Sequence, residues 1–105
     1  MKILSGTYKG IRIETMKNAS YRPTKSRVRK SIFDTISPFN YLNVLDLYSG
    51  SGVLGFESAS RGATSVTFVE NNFKNIKLLS HNKIKFDDID FSVIKNNVET
   101  FLKKS

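Results

Sequence analysis

The sequence has 105 residues, which allows at most one domain with a modest core, and it contains no cysteine, which excludes disulfides, thiolate metal sites and cysteine nucleophiles. Its 17 lysine and arginine residues outnumber 9 acidic residues and give a formal net charge of +8, which favours a polyanion such as RNA, DNA or an anionic membrane surface. No apolar run reaches the about 18 residues of a transmembrane helix, and the first residues lack a signal-peptide core. We therefore expect a cytoplasmic protein. Its one histidine cannot build a histidine-rich metal site, so we expect no metal.

The first fifteen residues predict a small, basic antiparallel hairpin. Ile11 and Ile13 alternate with Arg12 and Glu14, which is the period of a half-buried strand. A loop follows. Thr24 is the expected N-cap of a helix over 25–36, which Pro38 ends. One apolar stripe of this helix is expected to face the core, formed by Val28, Ile32, Phe33 and Ile36.

The rest of the chain alternates strands with helices. Apolar runs predict strands over 43–48, 65–70 and 91–96, and helical patterns predict helices over 52–61, over 72–83 and from residue 98. This order indicates an α/β fold with a parallel sheet and right-handed crossovers. In the second of these helices the residues expected to face the sheet are Phe73, Ile76 and Leu79 or Leu78.

A glycine motif, G-x-G-x-x-G, begins at Gly50 directly after the first of these strands and opens a helix. Gly52 and Gly50 allow a sharp turn and a close approach to a ligand, and Gly55 allows the helix to pack near the strand. Glu70 follows about twenty positions later, at the end of the next strand, where an acid is expected to bind ribose hydroxyls. Together these features predict a nucleotide site.

Asp46, just upstream of the glycines, helps to choose the nucleotide. A pyrophosphate at the helix N-terminus would be repelled by this carboxylate, whereas S-adenosylmethionine has no phosphate and carries two cationic groups. The electrostatics therefore favour S-adenosylmethionine over NAD. A compatible alternative is that Asp46 braces the turn by accepting hydrogen bonds from loop N–H groups.

A resemblance to a known family rests on four segments, in the order "MKILSGTYKG", "RPTKSRVRKSIFDTI", "VLDLYSGSGVLGFESASRGATSVTFVE" and "NNVETFL". Together they resemble the N-terminal part of RsmD-like methyltransferases, which use S-adenosylmethionine to methylate the exocyclic amine (N2) of a guanine in small-subunit ribosomal RNA. The glycine segment is common among methyltransferases, and the "RPT…RVR…IF" segment is far more particular. The resemblance implies an incomplete Rossmann-like methyltransferase fold of three β-α units, preceded by the hairpin and helix.

The resemblance also implies two sets of site residues. The cofactor-binding set is Thr24, Asp46, Ser49, Gly50, Gly52, Glu70 and Asn97, with Glu70 on the ribose hydroxyls and Asn97 at the adenine edge. The RNA-binding set is Lys9, Arg12, Arg22, Arg27 and Arg29. For these basic residues the alternative is a solvated charged face.

The family's catalytic tetrapeptide, Asp/Asn-Pro-Pro-Tyr/Phe, does not occur in this sequence, whose prolines are Pro23 and Pro38. We therefore assign no catalytic residue, and we expect a fragment that is inactive alone. Residues 1–40 are expected to form a basic, RNA-facing part, and residues 41–105 the first half of the methyltransferase domain. The strand at 43–48 would then have an open apolar edge, through which the chain self-associates or pairs with a C-terminal half.

Two other functions remain open on the residues. One is a basic RNA-binding module without catalysis, and the other is the nucleotide half of an NAD-dependent oxidoreductase, which only the glycine spacing and Glu70 support. Binding of S-adenosylhomocysteine distinguishes the methyltransferase hypothesis from both of these alternatives.

Overall fold

The computed structural model of the chain describes residues 1–15, 26–47 and 49–104. Its elements alternate as predicted, and each boundary lies within one residue of the predicted position. In chain order they are α1 (Ser26–Thr35), β1 (Asn43–Leu47), α2 (Val53–Ser60), β2 (Ser65–Glu70), α3 (Phe73–Lys83), β3 (Asp90–Lys95) and α4 (Val98–Lys104).

The three strands form one parallel sheet in the order β1-β2-β3, so the predicted α/β fold is confirmed. In register, Asp46 of β1 pairs with Phe68 of β2, and Glu70 of β2 pairs with Lys95 of β3. Parallel neighbours need crossover connections, which α2 and α3 supply. Because all strands run the same way, the loops after them meet at one edge of the sheet, where open α/β sheets bind ligands. We call this the carboxyl edge.

The open edge of β1 also agrees with the sequence prediction. Among the described residues β1 pairs with β2 alone. Leu45, near the middle of the strand, has 49% of its surface exposed. An apolar strand with an unpaired row of N–H and C=O groups is open to pairing with another chain.

The core lies between α2, the sheet and the turn after α3, and aromatic rings fill it. The ring of Phe56 in α2 lies 5.0 Å from that of Phe68, 4.9 Å from that of Phe86 and 5.2 Å from that of Phe91. A Cβ at Gly55 would overlap the Phe68 ring. The predicted role of Gly55 in close packing of helix and strand is therefore confirmed.

The N-terminal residues form the predicted antiparallel hairpin, although it is reduced to one bridge between Lys2 and Arg12. The N–H of Ile3 donates to the carbonyl of Ile11 (2.9 Å), which continues the pairing. Ile3 and Ile13 are buried in the same apolar cluster as the sheet. The hairpin is thus anchored to the α/β unit by its isoleucines and keeps its basic side chains outside.

The predicted buried face of α1 is right for Phe33 and wrong for two of its other residues. Val28 and Ile32, expected in the core, are 50% and 40% exposed, whereas Arg29 and Phe33 are buried. The helix packs on this other face because the Arg29 guanidinium meets a buried carboxylate of α2, Glu57. An apolar stripe read from one helix cannot reveal such a partner.

The predicted face of α3 needs a smaller correction. Leu79 is fully buried as expected, whereas Phe73 is more than half exposed. Phe73 is the first residue of the helix, and its ring lies under the ammonium groups of Lys77 and Lys95, at 4.9 Å and 5.5 Å. The first turn of α3 thus lies at the surface, and burial begins further along the helix.

Candidate functional site

The glycine loop, residues 49–52, joins β1 to α2 at the carboxyl edge. The Ser49 hydroxyl donates to the carbonyl of Asp46 (2.6 Å), and the N–H of Gly52 donates to the carbonyl of Ser49 (2.8 Å). Gly50 and Gly52 adopt φ angles of 58° and 84°, which side chains disfavour. A Cβ at Gly52 would also meet core side chains of α2 and α3, so this glycine is required for packing as well as for the turn.

Glu70 ends β2 and fixes the glycine loop to the neighbouring strand. Its Oε1 accepts the N–H of Gly50 (2.9 Å). Its Oε2 accepts the N–H groups of Asn71 (3.1 Å) and Asn72 (2.8 Å) and the side-chain amide of Asn75 (3.4 Å). A carboxylate has about four acceptor positions, two on each oxygen. Oε1 therefore keeps one position for a hydroxyl donor.

Asp46, near the end of β1, faces the same region. Its Oδ2 accepts the N–H of Gly55 (3.2 Å), so the bracing contact considered from the sequence exists, but in α2 rather than in the loop. The pKa of Asp46 is raised to about 7. Burial is the main cause and the negative charge of Glu70 adds to it, whereas the hydrogen bond from Gly55 lowers the pKa.

No ion pair neutralises this pair of acids in the described part of the chain. The four salt bridges found there involve neither Asp46 nor Glu70. A carboxylate whose pKa is raised by burial and by a neighbouring negative charge forms a site that a cation stabilises and an anion destabilises. In a chain with net charge +8, this local negative charge separates the carboxyl edge from the rest of the surface.

A cavity of about 150 Å³ opens at the carboxyl edge between the ends of β2 and β3. Asn97 caps α4, because its Oδ1 accepts the N–H of Thr100 (2.7 Å), and its NH₂ group has no partner among the described residues. The cavity is smaller than the roughly 300–1,000 Å³ of pockets for drug-sized ligands and suits one ring of a ligand. Its lining is Val69, Glu70, Asn71, Asn96, Asn97 and Val98.

The structure thus gathers most of the predicted cofactor-binding residues at one edge. Asp46, Ser49 and Gly50 adjoin Glu70 through the glycine loop, and Glu70 shares a cavity with Asn97. Thr24 lies outside the described residues. Their contact with a cofactor stays a prediction.

The predicted RNA-binding residues are not gathered in one place. Lys9 and Arg12 are exposed on the hairpin, where Arg12 pairs with Glu14 (3.4 Å). Arg27 lines a second cavity, near the C-terminal end of α2 and away from the glycine loop. Arg22 lies outside the described residues.

Arg29 requires a correction, because its side chain is 0% exposed and cannot reach RNA on the surface. Its Nε lies 3.4 Å from Oε1 of Glu57, and its Nη2 donates to the carbonyl of Lys2 (2.6 Å). Burial lowers the pKa of Arg29, and the nearby carboxylate opposes that shift. The residue joins α1, α2 and the hairpin, so we remove it from the RNA-binding set.

Sequence reasoning missed Glu57, which holds the N-terminal part of the chain. Its carboxylate accepts the N–H groups of Leu4 (2.9 Å) and Ser5 (3.2 Å) and the Nε–H of Arg61 (2.8 Å), besides facing Arg29. A signal was present, since this acid stands in α2 among small and apolar residues, "VLGFESAS". An acid in such surroundings is buried only if it is paired.

Residues 1–15, 26–47 and 49–104 include no candidate for a metal site or for a membrane-spanning helix. No group of three histidine, cysteine, aspartate or glutamate side chains there is arranged to hold a metal ion. None of the helices is long and apolar enough to cross a membrane.

Comparison with known protein families gives one match along the whole chain. The sequence model of the family described as Conserved hypothetical protein 95 matches residues 1–105.

Curated relatives carry the name ribosomal RNA small subunit methyltransferase D. The Buchnera aphidicola protein (subspecies Baizongia pistaciae) is 38% identical over 106 residues, which cover 99% of this chain and 54% of the relative. The Haemophilus influenzae protein is 32% identical over 107 residues, which cover 99% of this chain and 55% of the relative. The chain spans about half the length of these relatives.

Solved structures share the fold. A hypothetical protein from Thermus thermophilus superposes with a TM-score of 0.85 at 31% identity, over 99% of this chain and 60% of that one. The Escherichia coli protein yhhF, named as a methyltransferase, superposes with a TM-score of 0.83 at 27% identity, over 97% of this chain and 55% of that one. The partial Rossmann-like methyltransferase fold implied by the sequence is therefore confirmed.

Proposed function

Because the chain belongs to the family described as Conserved hypothetical protein 95, that of the RsmD-like methyltransferases, we propose that it is the S-adenosylmethionine-binding portion of an RNA methyltransferase. One observation carries the proposal: Glu70 joins the glycine loop of β1 to a cavity that Asn97 shares. The loop and the acid that the motif requires, and the amide that the family resemblance implies, thus adjoin at the carboxyl edge.

The donor set of this edge fits S-adenosylmethionine better than it fits a dinucleotide. Asp46 and Glu70 form no ion pair among the described residues, and the charge of Glu70 disfavours ionisation of Asp46. A ligand with an ammonium and a sulfonium group relieves this repulsion, whereas a pyrophosphate adds to it. The NAD hypothesis is therefore the weaker one.

Each residue has a proposed role in holding the donor, which supplies a methyl group on a positively charged sulfur. Glu70 accepts a ribose hydroxyl at the free position of Oε1, and the Asn97 NH₂ group donates to the adenine edge. Asp46 in its ionised form attracts the ammonium group. Ser49 and Gly50 fix the shape of the loop that follows Asp46, and we assign them no other role.

The acceptor is proposed from the relatives, which are named for small-subunit ribosomal RNA. If the target is a guanine N2, its lone pair must point at the methyl carbon in line with the departing sulfur. The tetrapeptide that supplies this alignment in the family is absent from these 105 residues. We propose that the chain by itself binds the donor, in the cytoplasm, and does not transfer the methyl group.

Calorimetric titration with S-adenosylhomocysteine tests this function. We expect binding by the wild-type chain, and about tenfold weaker binding or worse for Asp46→Asn and Glu70→Gln, because each removes a charge-assisted contact. Asp88→Asn is the matched control, since Asp88 is exposed in the turn before β3. A folded sample that binds NAD but not S-adenosylhomocysteine would contradict the proposal.

A non-catalytic RNA-binding module is the second candidate, favoured by the basic cavity beside Arg27. Calorimetry with S-adenosylhomocysteine distinguishes this module from the methyltransferase portion. A module of this kind binds RNA with strong salt dependence and shows no heat with S-adenosylhomocysteine.

We also propose that the isolated chain self-associates through β1, because Leu45 is exposed and the outer edge of the strand is unpaired in the described residues. Sedimentation velocity over a range of concentrations measures this. Leu45→Lys should shift the distribution towards monomer, since a charge on an edge strand opposes pairing. A wild-type chain that stays monomeric at every concentration would exclude it.

A further inference from the structure

A second, larger cavity lies away from the carboxyl edge. It has a volume of about 580 Å³ and lies between the hairpin, α1 and the end of α2. The eight residues of α2 separate it from the glycine loop, a length of about 12 Å at 1.5 Å per residue. Its lining is Leu4, Ser5, Ser26, Arg27, Lys30, Asp34 and Arg61.

Arg61 is held rigidly at the inner side of this cavity. Its Nε donates to Oε2 of Glu57 (2.8 Å), and its guanidinium lies 4.6 Å from the centroid of the Phe33 ring. The side chain is only 16% exposed, and its Nη groups have no partner among the described residues. A guanidinium fixed in this way presents a planar fork of donors without losing side-chain freedom on binding.

Arg27 and Lys30 stand one turn apart on α1 and add two mobile cations. Arg27 has no hydrogen bond or ion pair among the described residues. Lys30 holds Asp34 at 2.6 Å, in a pair that is exposed on both sides and therefore weak. The lining thus contains three cations and one carboxylate, and the second carboxylate nearby, Glu57, is buried behind Arg61.

We propose that this cavity binds a backbone phosphate of RNA, with Arg61 as the fixed donor and Arg27 and Lys30 closing over it. Guanidinium groups match the oxygens of a phosphate in a bidentate way, and a lysine adds a point charge. The apolar stems of these side chains and Leu4 provide a wall against which a ribose or base can pack. The choice of RNA among polyanions rests on the proposed function, whereas the phosphate chemistry rests on the cavity alone.

This site differs from the RNA surface expected from the sequence. Of the predicted basic residues that the structure describes, only Arg27 lines the cavity, and Arg29 is buried. Lys30 and Arg61 were not predicted. Phosphate binding here would hold RNA about one α2 length from the methyl donor, as a positioning contact rather than a catalytic one.

Fluorescence anisotropy with a short, labelled single-stranded RNA tests the proposal on the whole chain. The test variant carries Arg27→Gln and Lys30→Gln, and the matched control carries Lys103→Gln and Lys104→Gln. Both variants lose two charges from exposed helical residues, so they share the net charge and differ only in position. Arg61 is left unchanged because Glu57 needs it.

We expect the test variant to bind RNA about tenfold more weakly than the control. Its slope of log affinity against log salt should be shallower by about 0.7, which is the contribution of one phosphate contact for a single strand. In addition, RNA should shift the amide NMR signals of Ser5 and Lys30. Equal affinities and slopes for the two variants would overturn the proposal.

Two further arms separate the possible outcomes. Vesicles with anionic headgroups in place of RNA should bind both variants equally, and selective loss in the test variant would assign the cavity to a membrane surface instead. S-adenosylhomocysteine should bind both variants like the wild type. Absence of that binding in all three proteins would refute the proposed function. The phosphate site would still be tested by the difference in RNA affinity between the test variant and the control.

Discussion

Two carboxylates at buried or mostly buried positions contact α2, Glu57 in the C-terminal half of the helix and Asp46 from β1 near the N-terminal end, and the two are used in opposite ways. At the C-terminal end Glu57 accepts three hydrogen bonds, from two backbone N–H groups and from Arg61, and it also forms an ion pair with Arg29. At the N-terminal end Asp46 accepts one N–H group, from Gly55, and its pKa is raised to about 7.

This difference suggests how a structural acid is distinguished from a binding acid. Each oxygen of Glu57 has two contacts, which fill its acceptor positions and leave none for a ligand, whereas Oε1 of Glu70 has only one. A carboxylate with one donor and a second acid nearby keeps an unfavourable charge that a cationic ligand can relieve. The proposed site therefore lies where the protein leaves an acid unsatisfied.

The largest effect is expected from Glu57→Gln, which removes the charge between two guanidinium groups. We expect a loss of about 3–5 kcal/mol in the free energy of unfolding, because Arg29 is left buried without its counter-ion. Urea denaturation followed by circular dichroism measures it.

Asp87→Asn is the control for this change, since Asp87 is exposed and its change should stay within about 0.5 kcal/mol. A Glu57→Gln protein as stable as this control would remove the contrast between the two ends of α2.

The opposite sign is expected for Asp46→Asn, which should stabilise the chain without ligand by about 1–3 kcal/mol at pH 8, since one pKa unit corresponds to about 1.36 kcal/mol. The native state keeps the Asp46 proton up to a pH of about 7, and the unfolded state releases it near 3.8. The contribution of Asp46 to stability is therefore complete below that lower value and is lost as the pH rises through about 7.

Denaturation curves of the wild type and Asp46→Asn should thus converge at acidic pH and separate at alkaline pH. Asparagine retains a side-chain oxygen for the N–H of Gly55. If Asp46→Asn is less stable than the wild type at pH 8, the ionised carboxylate stabilises the folded protein without ligand, which would contradict this prediction.

Ligand affinity should depend on the same proton. If ionised Asp46 attracts the ammonium of S-adenosylhomocysteine, affinity should rise by about tenfold between pH 6 and pH 8, as the ionised fraction grows. Calorimetry at several pH values measures this. The Asp46→Asn protein is the reference, because its weaker binding should change little over the same range. An equal rise in affinity in both proteins would mean that a group other than Asp46 causes the pH dependence.

The smallest effect concerns the support of Glu70. Asn72 caps α3, where its Oδ1 accepts the N–H groups of Lys74 (2.9 Å) and Asn75 (3.1 Å). Asn72→Ala should cost about 1 kcal/mol of stability through loss of the cap. Asn71→Ala is a close control, because the neighbouring Asn71 contacts Glu70 only through its backbone N–H, and equal losses in both variants would argue against capping.

Local patterns predicted the order of elements because they record burial along one segment. The run at 43–48 and the alternation of later strands and helices needed no information from elsewhere in the chain. The same holds for the glycine loop and Glu70, whose separation of about twenty residues is the length of one helix and one strand, and the structure joins them directly. Asn97 was expected only from the family resemblance, and the structure places it beside Glu70 because β2 and β3 are parallel and end at one edge.

The buried face of α1 was not predictable in this way, because it depends on a partner 28 residues further along the chain. Val28 and Ile32 form the better apolar stripe, yet Arg29 is buried, where it forms an ion pair with Glu57 and donates one hydrogen bond to the carbonyl of Lys2. The sequence by itself determined the α/β order, the glycine loop and the acid that meets it, because these depend on spacing. Only the tertiary structure decided which charges are paired inside and which remain free to bind, because pairing depends on contacts between distant residues.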